Sequence, residues 1–415
     1  MSADYVLLDQ YFGKAGIPVG YFPLVGYKLT VNSGSYALTG TSIALKTRRK
    51  LAVDTGTFSL TGTAVAFKRS YVLIADSGAF VLDGKDIALK TGRRLTVNPG
   101  TFSLIGTDVA LNVGYKLNAA SGTYELTGTD IELKVARKLS VDAGSYNLIG
   151  IDLNFKRTYA LIADSGIFSL TGMPVNFERT YVLLASSGSF SLTGSNVKLI
   201  RSTYIFKLES GSFNITGTPV NFKRTYVLPV SAGNFTLTGM NIKLIKGYGL
   251  LAETGNFVLF GIDVILKTAR KLTADLGAYS LTGIDITLKL ARKLILDSGI
   301  INFAGTGVEL RADRKLSADI GIFSLIGEPI TFERTYNLVA EEGIFSLIGT
   351  PVTLERNYVL SLEPGAYILD STDIGLYWWM WNACRGYVIP ADERVFAIPY
   401  EDRVFAIPAC DNGGK

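Results

Sequence analysis

The sequence predicts an all-β chain of tandem 22-residue repeats wound as a parallel β-solenoid, and three observations carry that expectation. A glycine recurs sixteen times at this spacing, from Gly34 to Gly365, and in fifteen of them it stands two residues before an aromatic. Apolar residues within each unit are spaced by two, the period of strands with one buried face. Turn-forming clusters separate the apolar groups.

The register is strict. Every step between anchoring glycines is 22 residues except Gly188 to Gly211, which is 23, the extra residue falling in Ile200-Arg201-Ser202-Thr203. Counting from the anchoring glycine as zero, position 2 is aromatic except at Ile301, position 4 is mostly Leu (Leu60, Leu104, Leu170), and position 6 is glycine until Ser371. Positions 9 and 11 are apolar, as in Val175 and Phe177, and so mostly are 17 and 19, as in Leu51 and Val53. Sustained self-similarity at such a period is the mark of a solenoid, propeller or array.

Three turns are expected in each unit. The first precedes the anchoring glycine, as in VDTG, ADSG and VNPG, with the glycine free to take positive φ. The second follows the glycine at position 6, where Thr-Asp or Thr-Pro comes next, and the third is KTA or KRT at positions 12 to 14. Three short strands and three turns suit one coil, with like residues of successive coils stacked in ladders. At about 4.8 Å per coil, such a stack would form a rod roughly 75–80 Å long. The same strands also suit a spiral of antiparallel hairpins, which would pair position 19 with 2 and 17 with 4. Either arrangement could associate as a trimer.

Three regions follow: an N-terminal leader or cap at 1–26, the repeats at 27–376, and a C-terminal segment at 377–415. The last of these opens with YWWMWNACRGYVIP and continues as DERVFAIPY and EDRVFAIPA, with Pro390, Pro399 and Pro408 at a period of nine. Solenoid ends need covering, so atypical ends are expected.

Composition narrows the function. The chain is 48% hydrophobic and 19% charged, with a net charge of +5 spread along it, which does not point to nucleic acid. No apolar run reaches the roughly 18 residues of a membrane helix. The first residues lack the basic start and apolar core of a secretory signal, so export by that route is not expected. Histidine is absent, which removes most triad and zinc chemistry. Neither a cofactor nor a metal is expected, and no residue is assigned a catalytic role.

The candidate sites each have a plain structural explanation. The aromatic ladder (Phe58, Phe80, Phe102) could bind sugars, but it is in phase with the inward Leu and reads as core. Asp86, Asp108, Asp130 and Asp152 recur at position 8 without the GGxGxD motif of calcium-binding rolls, so they read as turn residues. Arg137, Arg270 and Arg292 stand at position 15 and Arg157, Arg179 and Arg334 at 13, which fits a solvated corner better than a polysaccharide-binding stripe. Tyr377, Trp378, Trp379 and Trp381, with Phe396 and Phe405 in the nonapeptides, are the candidate contact or oligomerisation residues. Cys384 and Cys410 could form one disulfide or remain two thiols.

The G-x-[FY]-x-L-T-G unit, as in SGSYALTG at 33–40 and SGIFSLTG at 165–172, resembles repeats of bacteriophage structural proteins. ERVFAIPYEDRVFAIP is similar to nonapeptides of small phage proteins encoded near head and tail genes. The resemblance implies a non-enzymatic virion component: a fibre, spike or decoration protein assembled in the host cytoplasm. Its implied partners are copies of itself, with a trimer favoured, other virion proteins, and a host surface glycan. The rivals are a bacterial surface adhesin, which would need a secretion signal or anchor, and a β-helical depolymerase, which would need a cleft.

Overall fold

The computed structural model describes residues 28–377, apart from short stretches at 46–47, 68–69, 91, 113, 135, 201–204, 224, 246, 268, 290–292, 312–314, 334–336, 341, 356–358, 363–365 and 372–373, together with 387–389. Among the described residues there is no helix. Two compact units divide at Thr218 and Pro219. Each is a parallel β-solenoid of 22-residue coils.

In the first unit, Arg48–Val53, Ser70–Ala75, Gly92–Val97, Gly114–Ala119 and Ala136–Val141 lie side by side, each pairing in parallel with its counterpart 22 residues away. The other part of each coil forms a second ladder in the same register, with Phe80 beside Phe102 and Leu82 beside Leu104. The second unit repeats the plan through Thr225–Val230, Gly247–Ala252 and Ala269–Ala274. Parallel pairing replaces the hairpin spiral. It follows from the sequence, because a parallel in-register stack sets like on like, and every apolar position then meets an apolar neighbour. Leu199 still pairs at an offset of 22 (with Phe177), whereas Ile205 pairs at 23 (with Val182). The inserted residue is therefore absorbed between them, where a turn was expected.

The second expected turn is corrected. Thr57–Phe67, Ala79–Leu89, Thr101–Leu111, Thr123–Leu133 and Ser145–Phe155 are unbroken 11-residue strands that run through position 6. Burial nevertheless changes phase within them, as in Phe58 and Leu60 followed by Val65 and Phe67. Even positions face inward up to 4 and odd positions from 9, so the strand wraps a corner of the core without leaving its ladder. Some of the coils in which this strand breaks carry a proline there, which brings no N–H to the ladder, although the break between Ser189–Gly194 and Val197–Leu199 falls at Ser195-Asn196. Pro174 falls between Ile167–Gly172 and Val175–Phe177, and Pro329 between Ile322–Ile326 and Ile330–Phe332. Pro219 stands just after a break at Thr218 and opens its strand, Pro219–Phe222.

The role expected of the anchoring glycines is corrected too. Only Gly34 among the described glycines has positive φ, at 92°. From Gly78 to Gly211 and from Gly255 to Gly321 the anchoring glycines are required by close approach. A Cβ on Gly78, Gly100 or Gly144 would drive into the carbonyl oxygen of the glycine one coil earlier. Even at Gly150, at position 6, it would lie 2.7 Å from the Gly128 oxygen. The glycine ladders let two corners of the coil stack at strand spacing.

The core is a set of ladders. In the first unit, Phe58, Phe80, Phe102, Tyr124, Tyr146, Phe168, Phe190 and Phe213 are stacked nearly parallel, with centroids 4.5 to 5.1 Å apart. In the second unit, Phe235 and Phe257 stack at 4.8 Å. There Ile301 interrupts the ladder, and position 4 of the same coil is Phe303 instead of Leu; both are buried. This is a volume-conserving exchange within one coil, the kind of change cores tolerate. Position 21 closes the turns. Ser77, Ser165 and Ser187 each donate a hydroxyl hydrogen bond of 2.9 to 3.0 Å to a carbonyl 23 residues earlier.

Among the described residues the hydroxyls of Tyr124 and Tyr146 have no partner beyond each other, and burial raises both phenols well above their usual range. Phenylalanine fills the same place one coil to either side. The double variant Tyr124→Phe/Tyr146→Phe is expected to keep stability within about 1 kcal/mol of the parent, or to gain slightly. Chemical denaturation followed by circular dichroism measures this.

Candidate contact surfaces

The aromatic ladder offers nothing to a ligand: Phe58, Phe80 and Phe102 are each 1% exposed. The position-8 aspartates do stand in one row, with Asp86 beside Asp108, Asp108 beside Asp130 and Asp130 beside Asp152. They lie on the outer side of a strand rather than in the turn expected of them. Among the described residues, no group of three acidic, cysteine or histidine side chains is placed to hold a metal ion.

Arg157 and Arg179 are exposed, as a solvated corner requires. Charges pair locally between coils. Glu132 bridges Lys134, at 3.3 Å, and Lys156 of the next coil. Burial alone would raise the Glu132 carboxyl, but hydrogen bonds from Lys156 and Lys134, together with their charges, hold it below its usual value. A depressed carboxylate stabilises the fold above its unfolded pKa, and that contribution is lost as pH falls through the folded value. Glu132→Gln is therefore expected to lower the denaturation midpoint at pH 7. The gap to the parent should close on acidification below about pH 4. Midpoints of both proteins measured across pH 3–7 check the sign.

Asp275 behaves oppositely. Burial, then the like charge of Asp297 on the next coil, raise its carboxyl.

Tyr377 ends the strand Ile374–Tyr377. Trp378, Trp379, Trp381, Phe396, Phe405, Cys384 and Cys410 lie outside the described residues, as do the leader at 1–26 and Arg292 and Arg334.

One surface was not anticipated from the sequence. On the outer side of the second unit, Ile300, Ile322 and Ile344 occupy position 1 of three successive coils and are 45%, 39% and 37% exposed. Beside them, Ile326 and Ile348 at position 5 are 42% and 38% exposed. The two rows are aligned in parallel register. A groove of about 260 Å³ crosses this edge, lined by Gly305, Thr306, Ile326, Gly327, Glu328, Ile348 and Gly349. In earlier coils of the same unit position 1 is Asn234, Asn256 and Ala278, and position 5 is Thr238, Phe260, Thr282 and Ala304, so the apolar character is shared in part by Phe260.

Compared with protein-family models, with curated proteins and with solved structures, the chain has no match.

Proposed function

We propose that this chain is a structural component of a bacteriophage virion, a fibre, spike or decoration protein, in which the repeats act as a spacer and the segments flanking them attach. The observation that carries the reading is the uniformity of the coils. From Thr57 to Phe155 and again from Asn234 to Arg311, equivalent residues fill equivalent places from coil to coil. Their outward positions between the glycines are mostly short and polar, as in Ser59, Ser103, Ser169 and Ser191. Such a stack carries load and sets distance. The phage setting draws on the resemblance of the G-x-[FY]-x-L-T-G unit and the nonapeptide tail. In this reading the protein works without catalysis or a cofactor, associates with copies of itself as a trimer, and meets other virion proteins or a host surface glycan.

The test is to tag the chain at Lys415, produce particles in the host, and image them by negative stain with a gold label. Label at a fixed place on each particle supports the reading. Label that stays in the soluble fraction, with bare particles, overturns it.

A further inference from the structure

The corner between positions 12 and 16 is mixed along much of the chain, with Glu178, Glu333 and Glu355 standing at position 12. Three successive coils of the second unit depart from that. They read KTARK at 267–271, KLARK at 289–293 and RADRK at 311–315, nine cations against Asp313. Elsewhere no two coils with three or more cations at this corner adjoin. KTGRR at 90–94 and KVARK at 134–138, for instance, are separated by NVGYK at 112–116. Leu266, Leu272, Leu288 and Leu294 are buried on either side like Leu89 and Leu95 of the first unit, so the change does not serve the core.

Stacking turns these cations into rows. Lys267 is beside Lys289 and Lys289 beside Arg311 on one side of the corner. On the other side Lys271 is beside Lys293 and Lys293 beside Lys315. Lys267, Lys271 and Lys293 are exposed. Like charges directly opposite on neighbouring strands, about 4.8 Å apart, repel. The first unit shows how the fold relieves such a row internally, with Glu132 at position 10 bridging Lys134 and Lys156. Beside Lys267 and Lys289 that position holds Ile265 and Thr287. A glutamate returns in the third coil as Glu309, which pairs with Arg311, as does Glu333. Among the described residues, Lys267, Lys271, Lys289, Lys293 and Lys315 form no ion pair.

Acidic rows stand four residues away along the chain, Asp263 and Asp285 on one side and Asp275, Asp297 and Asp319 on the other. In an extended chain that is about 13 Å, longer than the screening length at physiological salt. Lys271 is felt at Asp275 but is outweighed there by burial and Asp297. The acids therefore bound a basic strip and confine its attraction to the corner.

We propose that this corner binds a linear acidic polysaccharide, its carboxylates lying along the Lys267-Lys289 and Lys271-Lys293-Lys315 rows. A polyuronate carries one carboxylate on each sugar, so a polymer laid along the stack meets cations coil after coil. Such a contact needs no pocket. Each exposed pair is weak, and the rows act by number. A single-stranded nucleic acid would call for aromatic side chains on which its bases stack. The residues beside the rows are Ile265, Thr287, Thr273, Ile295 and Ser317, none of them aromatic. The contact belongs to these coils and does not depend on the virion reading.

The test uses the full chain in solution, without particles. Binding to immobilised polygalacturonate is measured for the parent and for Lys267→Gln/Lys271→Gln/Lys289→Gln/Lys293→Gln. The control, Lys85→Gln/Lys90→Gln/Lys198→Gln/Lys223→Gln, removes the same charge elsewhere. The parent is expected to bind, less tightly as salt is raised. The corner variant should bind at least about tenfold more weakly, and the control within about twofold of the parent. A second measurement needs no variant: polygalacturonate should shield Lys267, Lys271, Lys289 and Lys293 from acetylation, read by mass spectrometry, and leave Lys85 and Lys198 unshielded. A parent that does not bind, or corner lysines that are not shielded, overturns the proposal. Equal weakening of both variants also overturns it, because the attraction would then be one of net charge. So does tighter binding to oligodeoxythymidylate that is lost in the corner variant, which would give the corner to nucleic acid.

Discussion

Replacing Gly106 with valine is expected to open the ladder on both sides of that coil, at a local cost of about 4 kcal/mol or more, the range in which single substitutions are exceptional. A Cβ at Gly106 meets the Gly84 carbonyl oxygen well inside contact distance and lies 3.2 Å from the Ile87 Cδ1. The oxygen belongs to the stacked backbone and cannot swing away. The coils must separate there, and their hydrogen bonds are lost. Gly40 is the internal control. Among the described residues its Cβ would meet the Ile43 Cγ1 alone, at 3.8 Å, so Gly40→Ala should leave stability within about 0.5 kcal/mol of the parent. Hydrogen exchange read by mass spectrometry distinguishes the two, with fast exchange around residues 84–128 for Gly106→Val alone.

Phe168→Ala should cost about 3–5 kcal/mol, and locally. Its ring lies between those of Tyr146 and Phe190, with centroids 4.7 Å away on each side, and is fully buried. The neighbours sit on separate coils held apart by ladder hydrogen bonds, so they cannot close the gap the ring leaves. Because the stability of a stacked repeat is close to a sum of neighbouring terms, the damage should stay within the adjoining coils. Exchange should rise across residues 146–190 and remain at the parental level near Phe58 and Phe80. A uniform rise along the first unit would mean that its coils unfold as one body.

The ladders were legible because the repeat does the averaging. Leu60, Leu82 and Leu104 say little singly, but at a fixed period they declare one inward row. The corner at position 6 was harder to read. Val65 and Phe67 are out of phase with Phe58 and Leu60, and a phase change looks the same in sequence whether the chain leaves its ladder or bends within it. The glycine ladders were recognised but given the wrong cause. A demand for positive φ and a demand for close approach both exclude a Cβ, and only the stacked carbonyl tells them apart. The outward isoleucines were missed because Ile300, Ile322 and Ile344 become neighbours only when coils are stacked; 22 residues apart, each reads as an isolated apolar residue. The candidate contact residues from Trp378 onward were chosen for residue type, and no ladder position fixes where they lie.

The central claim is that coils stack in parallel with an offset of 22 residues, and disulfide trapping at Val81 tests it most directly. With Cys384 and Cys410 replaced by serine, Val81→Cys is paired either with Ser59→Cys or with Ile74→Cys. In the parallel stack, Ser59 and Val81 are ladder partners, at a separation a disulfide can span. In a hairpin spiral, Ile74 would face Val81 across the turn at Gly78. The account predicts rapid bond formation for the Ser59→Cys/Val81→Cys pair under mild oxidation and none for the Ile74→Cys/Val81→Cys pair. The reverse outcome would contradict the parallel solenoid.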